Sequence, residues 1–308
     1  MRRFLRRARS ISLEPAITFA LAWASLAGAA ERPAPPDVSL ERLALNPGGS
    51  GSLLLGTGEL LAPGQLRVST VGHYQHNPLL VSQGGAAHAL VGQRLSAHLA
   101  AAYAPVGWLE FQAQLPLVAL QRGEDLSREG FAAPTRAGLS TPSVGLRWGL
   151  LSQRSSGAVD LSLGLRVGLP FGDASGLART SGLHYLPELA VGRHFGPFRM
   201  ALSAQALLSG PVPESGQELR WGAVAATEGT RLRWEVNALG TLPLGEPRPR
   251  SLEVLTGPRF LAHSSVELFA LGGVGLGAAP GTPLFRVMVG SAWGGVSSPR
   301  LAAVSGRC

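Results

Sequence analysis

Residues 185–208, YLPELAVGRHFGPFRMALSAQALL, read as one β-hairpin. In its second arm Phe198, Met200, Leu202, Ala204, Ala206 and Leu208 share one face, and Arg199, Ala201, Ser203 and Gln205 share the other, which is a period of two. In the first arm Leu189, Val191 and Phe195 oppose Glu188, Ala190, Gly192 and His194, and Gly196-Pro197 supplies the turn. Arms of about 10 residues suit tilted strands that cross a bilayer.

The same unit recurs from Gln65 to Trp293, where about twelve strands can be traced. In one of them Leu109, Phe111, Ala113, Leu115 and Leu117 oppose Glu110, Gln112 and Gln114. The connections alternate in length. Those at 104–107, 152–158, 196–197, 228–230 and 262–264 are short, whereas Asn77 to Gly92, Gln121 to Pro142, 170–184, 209–217 and 243–250 are longer. Short turns on one side and longer loops on the other are the pattern of a transmembrane antiparallel β-barrel, with the short turns in the periplasm. A water-soluble sandwich or barrel also alternates along its strands. Against it, the apolar face almost lacks charge, and glycine recurs on the other face at Gly145, Gly149, Gly164, Gly168, Gly192 and Gly222. Small inward residues leave room for Arg and Glu within a narrow lumen.

Composition narrows the function. The chain has no Lys, so all 27 basic residues are Arg, and neither a Walker A phosphate loop nor a Schiff-base lysine is available. Residues 1–29 read as a cleaved export signal: Arg2, Arg3, Arg6, Arg7 and Arg9 precede the apolar run Ala16 to Leu26, and Ala27-Gly28-Ala29 offers the cleavage site. Its removal takes away five of the 27 Arg and one of the 19 acidic residues, so the net charge falls from +8 to +4 and gives no argument for nucleic acid. Cys308, alone at the end of the chain, cannot form an internal disulfide. The expected organisation is therefore a signal (1–29), a flexible N-terminal arm (30–64), an outer-membrane barrel (65–293) and a tail (294–308). The arm, with Pro33, Pro35, Pro36 and the run NPGGSGSLLLGTGELLAPGQ, has too short an apolar piece to span a membrane, and its place, in the barrel mouth or in the periplasm, stays open.

The stretch LNPGGSGSLLLGTGELLAPGQLRVSTVGHYQ and the strand end LGLRVGLPFGD, Leu163 to Asp173, resemble the N-terminal barrel domain of OmpA-family outer-membrane proteins over residues 43–295. The resemblance implies an outer-membrane location. Many members carry a periplasmic peptidoglycan-binding domain after the barrel; only fifteen residues follow Trp293 here, so cell-wall anchoring is not carried over.

The charged residues of the inner face are the first candidate site. Arg67, Glu110, Arg147, Asp160, Arg166, Glu188, Arg199, Arg220, Arg233, Glu235, Arg259, Glu267 and Arg286, with Glu253, would line the lumen. Rings of Arg favour anions, which points to an anion-leaning pore. The competing reading of the same residues is a salt-bridged plug, because twelve strands lie between side-chain-filled barrels and wide porins. Tyr74, Trp108, Trp148, Tyr185, Trp221, Trp234 and Trp293 fall mostly near strand ends, as membrane-interface girdles do.

Enzymatic and metal chemistry find little support. His73 and His76 lie three apart on a strand and face opposite ways, so no metal is expected. Ser96 and His98 are the one Ser/His pair suggesting an outer-membrane lipase, and no nucleophile motif surrounds them. Gly273, Gly275 and Ala278 imitate a dinucleotide fingerprint, but Pro280-Gly281 stands where its helix must begin. The expectation is a non-enzymatic envelope protein without cofactor, a narrow diffusion pore or a structural barrel. Its partners are outer-membrane lipid and small solutes or ions, with no nucleic acid and an undefined oligomeric state. The alternative is a surface adhesion protein acting through the loops Asn77 to Gly92 and Gln121 to Pro142.

Overall fold

The computed structural model describes residues 39–83, 85–180, 182–209, 217–244 and 249–294. The export signal and all of the tail beyond Gly294 lie outside the described residues.

Twelve long strands form the wall: β1 (Leu66–Gln83), β2 (Ala86–Val106), β3 (Leu109–Arg122), β5 (Ser143–Leu151), β6 (Asp160–Gly168), β7 (His184–Phe195), β8 (Phe198–Ser209), β9 (Glu218–Thr227), β10 (Leu232–Pro243), β11 (Ser251–His263), β12 (Val266–Leu276) and β13 (Phe285–Gly294). A two-residue strand, β4 (Gly138–Leu139), adds to the edge of β3 within a long loop. Each long strand pairs antiparallel with its neighbours in sequence, and β3 pairs with β5. The first and last strands then pair with each other, from Arg67 opposite Gly294 to His76 opposite Phe285. The barrel is closed, and each of its twelve long strands has a hydrogen-bonded neighbour on both sides.

Burial along the strands is inverted relative to a water-soluble protein. On β3, Glu110, Gln112 and Gln114 are buried, while Phe111, Leu115 and Leu117 are exposed. The largest fully buried side chains include Arg67, Arg94, Arg147, Arg199 and Arg286, and Leu202, Met200, Val289 and Leu232 lie more than half exposed on the outside. This arrangement is stable only where the surrounding solvent is itself apolar, as in a transmembrane barrel. Four tryptophans, Trp108, Trp148, Trp234 and Trp293, are exposed near the short-turn end. Tyr185 and Trp221 lie exposed toward the long-loop end, and Tyr74, half-buried, packs on Phe285 with ring centroids 5.8 Å apart.

One expected loop is a strand pair instead. Asn77 to Gly92 continues the β1–β2 hairpin, with pairing resuming at Leu79 opposite Val91 and running to Gln83 opposite Ala86. Asn77-Pro78 reads as a strand breaker, and it does break the register between His76 and Leu79, with Asn77 at φ 51°. The break is a bulge, after which the ladder recovers.

Candidate functional site

The described part of the arm threads the lumen. At one end the Leu40 N–H donates to the carbonyl of Leu177, in the long β6–β7 connection (3.0 Å). At the other, the Gly64 N–H donates to the Ala104 carbonyl (2.7 Å), beside the tight β2–β3 turn. Between them Leu43, Leu45, Leu53, Leu54, Leu55, Leu60 and Leu61 are all buried. The first five pack against Val71, Leu255, Phe269, Leu271 and Met288 of the wall. Residues 40–61, part of the arm whose place the sequence left open, are thus the filling of the barrel.

The wall's charged groups hold it at several levels. At the first, Arg259 donates to Glu235 Oε2 (3.1 Å), to Glu267 Oε1 (3.0 Å) and to the carbonyl of Gly49 in the arm (2.9 Å), while Arg67 donates to Glu267 Oε2 (2.6 Å). Glu235 also accepts the Leu53 N–H at 3.3 Å. At the second level Arg199 binds Glu59 of the arm and donates to Asp160 (3.0 Å) and to the Thr57 carbonyl (3.3 Å). Arg154, from the β5–β6 connection, closes on the same Glu59. At the third, Glu110 accepts the Leu61 N–H (2.8 Å), and Arg147, 3.6 Å from Glu110, donates to Asn46 Oδ1 (3.2 Å). Arg42 of the arm pairs with Glu218 (3.3 Å), which also holds Arg220 (2.7 Å). Arg166 donates to the Leu45 carbonyl at 3.2 Å.

The remaining lining residues fall in the same shell. Arg286 pairs with Glu253 (2.6 Å), Glu188 is buried, and Arg233 is half-buried. A side chain in the low-dielectric interior must find its partner there, because leaving it unpaired costs several kcal/mol. Here many of the partners belong to the arm.

Glycine makes the fit possible. Gly49 takes φ +59°, and a Cβ there would lie 2.5 Å from Arg67 Nε. Gly58 takes φ +77°, and a Cβ would meet the Asp160 carbonyl oxygen at 2.2 Å. The Gly-rich run works here as a surface that charged side chains can approach closely.

The long-loop mouth is covered as well. Leu177, at φ 49°, is buried with Leu40 and Val91 beneath the β6–β7 connection. That connection is tied to the β3–β5 loop by Thr135 N–H to the Ser175 carbonyl (2.9 Å) and Thr135 Oγ1 to Asp173 (2.9 Å). Beside the arm a cavity of about 60 Å³, lined in part by Arg42, Arg220 and Trp221, has room for a few waters at most.

Sequence reasoning missed one cluster. His73 on β1 and His98 on β2 are diagonal neighbours, since Val71 stands opposite His98, and their Nε2 atoms lie 2.9 Å apart. Glu41 of the arm places its carboxylate 3.5 Å from His73 Nε2 and 3.7 Å from His98 Nε2. The strand register brings the two imidazoles together, and the path of the arm brings Glu41 to them. These are three possible metal ligands within 4.8 Å of one another, but the ring nitrogens behind them argue otherwise. Arg286 Nη1 donates to His73 Nδ1 (3.0 Å), and Gln114 Nε2 donates to His98 Nδ1 (2.8 Å) while its Oε1 takes the Leu45 N–H (3.3 Å). Arg286 and Gln114 thus engage both Nδ1 atoms, and the two Nε2 atoms are within hydrogen-bond distance of each other, so neither ring keeps a nitrogen free for an ion. His76 faces away, stacked 5.0 Å from Phe285. The Ser96 hydroxyl is buried and has no hydrogen-bond partner among the described residues, so it is not paired with His98 as a nucleophile would be.

No family model matches the chain, and no curated protein matches it by sequence. Among solved structures, an outer membrane channel from Pseudomonas putida F1 aligns over 79% of this chain and 100% of its own, with a TM-score of 0.56 and 15% identity. The NanC porin (73% and 98% covered, TM-score 0.49, 6% identity) and the KdgM porin (73% and 98%, 0.46, 9%) also align. At these identities the likeness is one of fold: a closed twelve-strand antiparallel barrel of the kind found in outer-membrane proteins.

Proposed function

We propose that the chain is a non-enzymatic outer-membrane channel for small solutes or ions, closed by its own N-terminal arm. The observation that carries this reading is that the wall closes without the arm. All twelve strand pairings are strand to strand, so withdrawing residues 40–61 would leave the ladder intact and open a lumen lined with Arg, Glu, Gln and Ser. A barrel serving only as structure has no need of a separable filling. The arginines of that lining lean toward anions once the arm's Glu41 and Glu59 are withdrawn. Export through residues 1–29 and an orientation with the short turns in the periplasm belong to the same proposal. Membership of the OmpA family would rest only on residues 45–75 and 163–173, and the first half of the former fills the lumen here.

Single-channel recording in a planar bilayer tests the reading. The full chain should be silent or show small, brief steps, and the chain beginning at Gln65 should show large sustained ones. An arm-free barrel that inserts and stays silent would sink it.

A further inference from the structure

The inward face of β1 and β2 beside Glu41 offers more hydrogen-bond donors than the closed barrel uses. Arg94 is fully buried and spends only Nη1, on Gln121 Oε1 (3.1 Å) and on the carbonyls of Gly176 and Leu177 (3.4 and 3.3 Å). Its Nε and Nη2 have no partner among the described residues, and neither does the Ser96 hydroxyl next along the same face. His98 follows on that face, and His73 stands beside it. Their two Nε2 atoms, 2.9 Å apart, form a fork that faces the Glu41 carboxylate.

The group that sits in this fork is a carboxylate, that of Glu41, and it fits incompletely. Its distances to the two imidazoles are 3.5 and 3.7 Å, and its Oε2 accepts no hydrogen bond from the described residues although the side chain is only 6% exposed. Burying unpaired donors and an unpaired acceptor in one place is costly. A site shaped for the arm alone would have been expected to satisfy them.

We infer that His73, Arg94, Ser96 and His98 form a carboxylate-binding site of the channel wall, and that Glu41 occupies it as an internal competitor while the arm is in place. This inference deepens the channel reading by naming a solute class, small carboxylate anions, that would meet the site on entering from the long-loop mouth. The wall keeps the fork in order without the arm on the His73 side, because Arg286 is held there by Glu253.

The test is equilibrium binding of succinate to the full detergent-solubilised chain by isothermal titration, which does not depend on conduction. Glu41→Gln keeps the shape of the arm and removes the competing charge. Its succinate affinity should be at least about tenfold higher than that of the unaltered chain, and Arg94→Gln added to it should remove at least about tenfold, the range expected for a charged hydrogen bond. If that double variant fails the heat-modifiability check for a folded barrel, Ser96→Ala in the Glu41→Gln chain replaces it, with severalfold weakening expected. Equal affinity in the Glu41→Gln and unaltered chains, equal heats from sodium chloride at matched ionic strength, or no loss on altering Arg94 or Ser96 would each overturn the inference. So would zinc chloride binding that the unaltered chain shows and Glu41→Gln lacks, since the cluster would then be a metal site. If succinate binds as expected but the bilayer stays silent with the arm removed, the site stands and the channel reading falls.

Discussion

Ser52 Oγ donates to Asn237 Oδ1 across 2.8 Å deep in the lumen, and Asn237 in turn donates through Nδ2 to Glu235 (3.0 Å). One residue belongs to the arm and the other to β10, so this single bond reports whether the arm is seated. With Cys308→Ser as background, Ser52→Cys and Asn237→Cys should form a disulfide that pins the arm. Any brief steps that the full chain shows should vanish on oxidation and return on reduction. Conductance indifferent to the redox state would mean that solutes pass around a fixed arm.

The Arg67, Arg259 and Glu267 triad should carry much of the stability of the barrel's short-turn end. Glu267 accepts from Arg67 at 2.6 Å and from Arg259 at 3.0 Å, and all three are almost wholly buried. Glu267→Ala strands two guanidinium groups, of which only Arg259 retains a carboxylate, Glu235. The loss should be about 3–5 kcal/mol, read from urea unfolding of the refolded barrel. A loss below about 1 kcal/mol would mean that water reaches the triad and screens it.

The barrel was legible because a period of two runs along most of its strands, so that a closed antiparallel sheet could be read before any register was known. The arm was not. In NPGGSGS the glycines signal either a loose linker or a close approach, and local sequence cannot say that Gly49 approaches Arg67 across a separation of eighteen residues and a full turn of chain. The expected loop Asn77 to Gly92 misled for a related reason: Asn77-Pro78 marks a bulge as readily as a loop, and only the partner strand decides. The His73, His98 and Glu41 cluster needed both the diagonal between β1 and β2 and the path of the arm. Glu41, one acid beside Arg42 among Leu40, Leu43 and Leu45, carries no signal of its own.

Gly49→Ala should unseat the arm without opening the wall. The left-handed backbone at φ +59° costs a non-glycine residue about 1–2 kcal/mol, and the added methyl would collide with the Arg67 guanidinium. The arm should become sensitive to added protease while the heat-modifiable barrel band persists on gels. An arm as protected as in the unaltered chain would show that Arg67 can move aside.

The cover over the long-loop mouth should loosen in acid. The Ser175 hydroxyl, donating at 2.6 Å, and then that of Thr135, at 2.9 Å, hold the Asp173 carboxyl below the usual carboxylate range. A carboxyl whose folded value is depressed contributes its stabilisation fully above the unfolded value of about 3.9 and loses it as the pH falls through the folded one. Hydrogen exchange at the Ala178 amide, which donates to the Asp173 carbonyl (3.3 Å), should therefore speed up below about pH 4 after correction for the intrinsic rate. Asp173→Asn should show the faster exchange at neutral pH. Identical exchange in the two chains at pH 7 would assign the cover's order to its backbone bonds alone.

Leu202 tests which solvent the outside of the barrel meets. It stands on β8 between Val191 and Ala223, and is 60% exposed. In water, exchanging an exposed Leu for Arg would be nearly neutral. In a bilayer, Arg at mid-depth on the lipid face costs about 2–4 kcal/mol. Leu202→Arg should lower the stability of the chain refolded into phospholipid vesicles by that amount, whereas Leu232→Arg, at the strand end beside the short turn, should cost at most about 1 kcal/mol. The contrast between the two positions is the informative quantity, because a general effect of added charge on refolding would lower both alike. Equal losses would place the apolar belt elsewhere than around the strand centres.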